Sequence, residues 1–205
     1  MADTLRIIPL GGVGEVGKNI TAIEAAGEIL VVDCGLAFPD PDMLGIDLVI
    51  PDATYLEENR DRVKAIILTH GHEDHTGGLP YVLPRIPGTP IYATRLTEGL
   101  VQGKLREHKL LESTPLHVVE PGHEFVVGTF RITPFRVSHS IPDGVGYAIE
   151  TPSGTGVTVS CKPRALASSM TSLISTLAPP SCNGEQITRP FSLMSKYFAP
   201  HRSML

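Results

Sequence analysis

The segment that most restricts how this chain can fold is the junction at residues 64–78 between an apolar run and a polar loop. Within Lys64-Ala65-Ile66-Ile67-Leu68-Thr69, four apolar residues follow one another without a polar alternation, which marks a strand buried on both faces. Such a strand has to lie inside a layered structure. It runs directly into Thr69-His70-Gly71-His72-Glu73-Asp74-His75-Thr76-Gly77-Gly78, which holds three of the chain's eight histidines within six positions. The end of a buried strand is a fixed point, and a glycine-containing loop leaving it can turn several side chains towards one place. His70 and His72, two apart in an extended loop, project the same way and can share one cation. Asp74 and His75 follow at the turn into a helix and can serve a second. Imidazole and carboxylate without thiolate suit Zn²⁺ as a catalytic rather than a structural ion.

A third ligand has to come from a distant segment. His139, in Phe135-Arg136-Val137-Ser138-His139-Ser140-Ile141-Pro142, sits just past a strand and before a proline turn, which favours it. His108, His117, His123 and His201 have no comparable placement and are expected in surface or packing roles.

The remaining pattern supplies the layers. Leu5–Leu10 is a short apolar run ending at Gly11-Gly12-Val13-Gly14, and Asn19–Glu24 alternates as a half-buried strand does. Glu28–Asp33 is a second fully buried strand, with Ala26-Gly27 as the hairpin turn before it. Residues 76–83 are expected to start a helix closed by Pro84. Pro90–Ala93 is expected as a strand and Arg95–Leu111 as a helix. The segments 117–119, 124–127, 130–137 and 146–150 are β-rich, divided by Gly and Pro. Strands paired antiparallel first, then interleaved with helices, predict an α+β arrangement with helices packed outside sheets.

Composition narrows the class. A chain of 205 residues with 41% hydrophobic and 19% charged residues can bury a core, so wholesale disorder is excluded. No apolar run approaches the roughly 18 residues of a membrane span, and the N-terminus lacks a signal-peptide layout. Three scattered cysteines make no disulfide framework, which points to a reducing cytoplasm. The net charge of −5 argues against nucleic-acid binding by bulk positive charge, but not against gripping phosphates through metal ions. That charge is unevenly spread. Residues 1–159 hold 12 Lys+Arg and 21 Asp+Glu, while residues 160–205 hold 5 and 1, together with nine Ser and five Pro. Leu166, Met170, Leu173, Ile174 and Leu177 have helical spacing, read as a chance pattern in a Ser-rich tail.

The H-x-H-x-D-H motif resembles the metallo-β-lactamase-fold superfamily. Gly11–Asn19, Val32-Asp33-Cys34-Gly35, Phe38-Pro39-Asp40-Pro41-Asp42, Leu68–Leu79 and Arg136–Asp143 resemble its ribonuclease J branch of zinc-dependent, β-CASP-type RNA hydrolases. The resemblance runs nearly unbroken from Leu5 to Thr155. It implies an αββα sandwich, truncated here to roughly its N-terminal half, over residues 1–155, followed by an atypical basic tail at 156–205. It also implies that His70, His72 and His139 hold one zinc and that Asp74 and His75 go to the other. Asp74 would act catalytically by holding metal and orienting the attacking water. RNA is then the expected partner, a homo-oligomer is left open for the intact family member, and neither membrane nor nucleotide cofactor is expected.

Family members add a bridging Asp from a Thr-Gly-Asp segment and a last His. This chain instead reads Gly156-Val157-Thr158-Val159-Ser160-Cys161-Lys162, so one zinc or none is expected to be well held and turnover to be negligible. Cys161 falls near the position of the bridging Asp and is taken as coincidence. A frameshift or deletion after Thr155 is the expected origin of the tail.

Two rival classes remain open. Gly12-x-Gly14-x-x-Gly17 after a strand, with Asp33 downstream, matches a dinucleotide-binding pattern, but Lys18–Ile23 alternates like a strand where a helix is needed. The chain could otherwise be a non-catalytic RNA-binding or interaction fragment, or another metallo-β-lactamase-fold hydrolase. Lys104, Arg106 and Lys109 on the expected helix read as a solvated face in preference to a weak RNA contact, which would favour the fragment.

Overall fold

The computed structural model describes residues 4–152 together with the backbone of two further strands, Gly156–Val159 and Ser175–Leu177. Two sheets face each other. The first has six strands: β1 (Arg6–Gly11), β2 (Ile20–Ala25), β3 (Glu28–Val32), β4 (Val63–Ile67), β5 (Ile91–Ala93) and β6 (Leu116–Val118), in that spatial order. β1, β2 and β3 pair antiparallel. From β3 onward the pairing is parallel, with helical segments carrying each crossover. The turn between β2 and β3 is Ala26-Gly27, both at positive φ (48° and 78°), as a two-residue hairpin requires.

The second sheet orders β7 (Phe125–Val127), β8 (Phe130–Arg136), β9 (Val145–Glu150), β10 (Gly156–Val159) and β11 (Ser175–Leu177), all antiparallel. It runs on past Thr155, since β10 pairs with β9 from Gly156↔Glu150 to Val159↔Tyr147. Ser175–Leu177, at the end of the stretch with helical spacing, is a strand. The rest of that stretch, Cys161 and His201 lie outside the described residues.

The two apolar runs read from the sequence sit where their composition demands. Along β3, Ile29 and Val31 pack under helices while Leu30 and Val32 face the second sheet. Along β4, Ile66 points to the helices, and Ala65 and Ile67 to the other sheet. The helix-side core takes Leu56 of α1 (Thr54–Glu58), Leu79 and Val82 of α3 (Leu79–Val82), and Val101 and Leu105 of α4 (Arg95–Glu107). The core between sheets adds Phe130, Ile132, Val145, Tyr147 and Ile149. Among the described residues, helices cover only the first sheet's outer face, so the truncated αββα sandwich is present as helices, sheet and sheet.

Two expected helices are shorter in the structure. Residues 76–83 divide into α2 (Glu73–Thr76) and α3, separated by Gly77-Gly78. There the main-chain N–H of Gly78 donates to Cys34 O (2.8 Å), and a Cβ on Gly78 would lie 2.6 Å from Gly35 O. The backbone is thus held against the β3 extension. α4 stops at Glu107 rather than Leu111. Lys109 takes φ 59°, its N–H donates to Arg106 O (3.1 Å), and Leu110 N–H reaches back to Leu105 O (2.8 Å). This is a Schellman closure with Lys in the place usually held by Gly.

Candidate metal centre

The site is assembled at the carboxyl end of β4. The chain leaves the sheet through Leu68 and Thr69, and both are pinned to the second sheet: the Tyr147 hydroxyl donates to Leu68 O (2.8 Å), and Val145 N–H donates to Thr69 O (2.9 Å). The loop between β8 and β9 brings His139 back to the same place. Asp143 at its end accepts from the Thr94 hydroxyl through its main-chain oxygen (2.9 Å) and from Leu96 N–H through its carboxylate (3.1 Å). The first turn of α4 therefore anchors the His139 loop.

Three imidazole nitrogens converge. His70 Nε2 lies 3.0 Å from His72 Nδ1, and His139 Nε2 lies 3.2 Å from the same atom. Four donors held at zinc–nitrogen bonds of about 2.0–2.1 Å would stand about 3.3–3.4 Å apart, so both separations to His72 Nδ1 lie within a few tenths of a tetrahedral edge, and all three ligand atoms lie within 4.8 Å of one another. Burial and the neighbouring imidazoles push the His70 pKa down to about 2, and burial with His72 and His75 lowers that of His139. Both rings are then neutral at ordinary pH, the state in which imidazole binds a cation. Thr69 fixes the His70 tautomer. Its hydroxyl donates to Asp33 (2.8 Å to Oδ2) and accepts from His70 Nδ1 (3.0 Å), which turns the Nε2 lone pair inward. His139 Nδ1 is buried with no hydrogen-bond partner among the described residues.

A second grouping joins His70 with Asp74 and His75. His75 Nε2 lies 3.4 Å from Asp74 Oδ2, and its Nδ1 lies 2.7 Å from Asp33 Oδ2. Burial works against a charged His75, but the Asp33 charge and hydrogen bond, with Asp74 behind them, raise its pKa to about 9. Burial likewise disfavours the Asp74 carboxylate, and the His75 hydrogen bond and charge more than offset it, so the Asp74 pKa is lowered. Without a metal the imidazolium supplies the positive charge between the two carboxylates.

All five side chains singled out from the sequence therefore meet, in two adjoining groups sharing His70. His108, His117 and His123 lie elsewhere and are exposed; His108 contacts Tyr81 and His117 stacks on Tyr92. Lys104 is spent in an ion pair with Glu73, beside the metal loop, while Arg106 and Lys109 stay exposed.

Sequence reasoning missed the roles of Asp33 and Thr69. In the sequence Asp33 stands out only within the dinucleotide-binding pattern and the Val32-Asp33-Cys34-Gly35 segment of the family resemblance, neither of which gives it a role at the metal loop. Here its carboxylate is buried and committed to Thr69 N (2.8 Å), the Thr69 hydroxyl and His75. The available signal was a single carboxylate ending an otherwise apolar strand, which has to find partners inside the protein. The glycine loop is followed by β2, not a helix, so it offers no helix N-terminus for a pyrophosphate.

A model of the metallo-beta-lactamase superfamily matches residues 13–162. The chain belongs to the metallo-beta-lactamase superfamily. Within that superfamily it is similar to ribonuclease J of Thermus thermophilus, 52% identical over 159 residues that make up 75% of this chain and 28% of the relative. Ribonuclease J 1 of Streptococcus pyogenes is 46% identical over 72% of this chain and 26% of its own length, and ribonuclease J2 of Bacillus subtilis 45% over 75% and 27%. The chain thus spans about a quarter of the length of the curated relatives it matches. Solved structures share the fold at low identity. Human tRNase Z, short form, superposes with a TM-score of 0.56 at 18% identity over 77% of this chain and 70% of that one. Zinc-bound PqqB from Methylobacterium extorquens gives 0.55 at 14% identity over 78% and 66%.

Proposed function

We propose that this chain is the front part of a zinc-dependent, ribonuclease J-type enzyme that hydrolyses RNA phosphodiester bonds in the cytoplasm. The observation that carries this reading is the convergence of His70 Nε2 and His139 Nε2 on His72 Nδ1, at 3.0 and 3.2 Å, in a chain 52% identical over 159 residues to a ribonuclease J. His70, His72 and His139 hold one zinc, and Asp74 with His75 face a second. Zinc, when bound, lowers the pKa of a coordinated water to about 7 and neutralises phosphate charge. Asp74, kept ionised by His75, orients the attacking water; Asp33 and Thr69 hold the imidazoles in their binding tautomers. The 205-residue chain alone turns over negligibly, because the described residues offer the second ion only one carboxylate and one unshared imidazole.

The test separates binding from turnover. Chelator-stripped protein exposed to zinc and desalted should retain close to one equivalent, and His72→Ala and His139→Ala should lose it. Residues 1–155 substituted for the matching segment of the Thermus thermophilus enzyme should support cleavage of labelled single-stranded RNA, which Asp74→Asn abolishes. No zinc retention, or a folded but inert chimera, overturns the reading.

One observation favours the second reading, a non-catalytic interaction fragment. Val13, Val16, Phe38 and Leu44 stand 69–89% exposed on two loops joined where Gly17 packs on Ala37. Zinc-independent self-association or RNA binding without cleavage by the chimera would support it.

A further inference from the structure

We propose that Asn19 is a positioning residue for the second metal position, acting through the main-chain carbonyl of Asp74. The inference rests on the metal-centre reading above and concerns only its second half.

Asp74 sits in α2, a helix of four residues, too short to hold its own shape. Beyond its own single turn, its carbonyls have to be taken by other segments. Glu73 O accepts from Gly77 N–H (2.8 Å) and Leu36 N–H (3.1 Å), and His75 O accepts from Cys34 N–H (2.8 Å). Asp74 O is taken entirely by one residue. Asn19 donates to it from its main-chain N–H (3.1 Å) and again from Nδ2 (2.9 Å). Asn19 is fixed in turn, because its own carbonyl accepts from Gly35 N–H (2.9 Å). The approach is so close that a Cβ on Gly35 would lie 1.7 Å from Asp74 O.

The same amide faces the ligand atoms. Asn19 Nδ2 is 3.3 Å from Asp74 Oδ2 and 3.3 Å from His75 Nε2, which are themselves 3.4 Å apart. A single side chain thus sets the peptide that carries the carboxylate and touches both second-site donors. Among the described residues its amide nitrogen reaches Asp74 and His75, not His72 or His139. Its removal should therefore act on one site only. Residues that orient ligands are worth about 10–100-fold in metal affinity.

The experiment follows the imidazole ¹⁵N resonances of the chelator-stripped full chain as Zn²⁺ is raised to millimolar concentration, for wild type, Asn19→Ala and the similarly sized, donor-free Asn19→Leu. The expected result is that His75 responds at 10–100-fold higher zinc in both variants while the His72 and His139 midpoints stay within twofold. Should one variant fail to fold, the other decides. A His75 midpoint unchanged within twofold, or equal shifts at all three histidines, overturns the clamp. So does a wild type in which zinc moves His72 and His139 but never His75. If zinc moves no histidine in the wild type, the metal-centre reading itself falls.

Discussion

Asp33 and His75, 42 residues apart, meet at 2.7 Å inside the protein, carboxylate Oδ2 against imidazole Nδ1, with both side chains under a tenth exposed. Asp33 reaches this contact from the end of β3 with φ 60°, a left-handed conformation that Asp tolerates better than most residues. The contact sets which nitrogen of His75 looks towards Asp74, and the same carboxylate holds the backbone of Thr69 at the start of the histidine loop. Asp33→Asn keeps the shape and removes the charge. We expect the metal-free protein to lose about 3 kcal/mol, the scale for breaking a buried charge pair, in urea unfolding at pH 7.

How much of this was legible in the sequence follows from how local each signal was. The strands at β3 and β4 declare themselves through uninterrupted apolar runs, and His70, His72, Asp74 and His75 through their crowding at the end of β4, while His139 shows only as a histidine between a strand and a proline turn. Asp33 and Asn19 stayed obscure because their partners lie 36 to 56 residues away, and no short-range pattern records such a contact. The division at Gly77-Gly78 depends on the close approach to Cys34 and Gly35, again a tertiary fact. The end of α4 was overrun because Lys109 fills a conformation that sequence reading assigns to Gly.

Stability of the metal-free protein should peak near pH 6.5. The His75 pKa is raised to about 9, so its contribution is full below its unfolded value of about 6.5 and is lost as pH climbs through 9. His70 runs the other way. Its pKa is lowered to about 2, so below about 6.5 the unfolded chain takes up a proton that the folded chain refuses, and stability falls as pH drops. Thermal unfolding in the presence of chelator, from pH 5 to 9.5, should give a maximum rather than a plateau. A melting temperature rising steadily to pH 9 would contradict the charged state assigned to His75.

Zinc should reshape that profile. Binding at a concentration 100 times the Kd adds about 2.7 kcal/mol of stability, and a chelator should remove it reversibly. A second ion at Asp74 and His75 must displace the proton of His75, so its binding below pH 9 releases a proton to buffer. Titration calorimetry in two buffers of different ionisation enthalpy measures that release. His75→Gln should abolish the release accompanying the second ion and leave binding at His70, His72 and His139 in place.

Gly35→Ala offers the sharpest test of how the metal loop is seated. A methyl group there would stand 1.7 Å from Asp74 O and 2.8 Å from His75 N, distances that no side-chain rotation relieves because both neighbours are backbone. The loop from Glu73 to His75 has to move away, and it takes with it the bonds from Cys34 N–H to His75 O and from Asn19 to Asp74 O. His70 and His139 are tied elsewhere, through Thr69 to β9 and through Asp143 to α4. We therefore expect a loss of about 3 kcal/mol or more in urea unfolding, on the scale of severe overpacking. In whatever fraction remains folded, the three-histidine site should still bind zinc while the Asp74–His75 pair no longer does. Unchanged stability would mean that the β3 extension and the metal loop are not in the contact described.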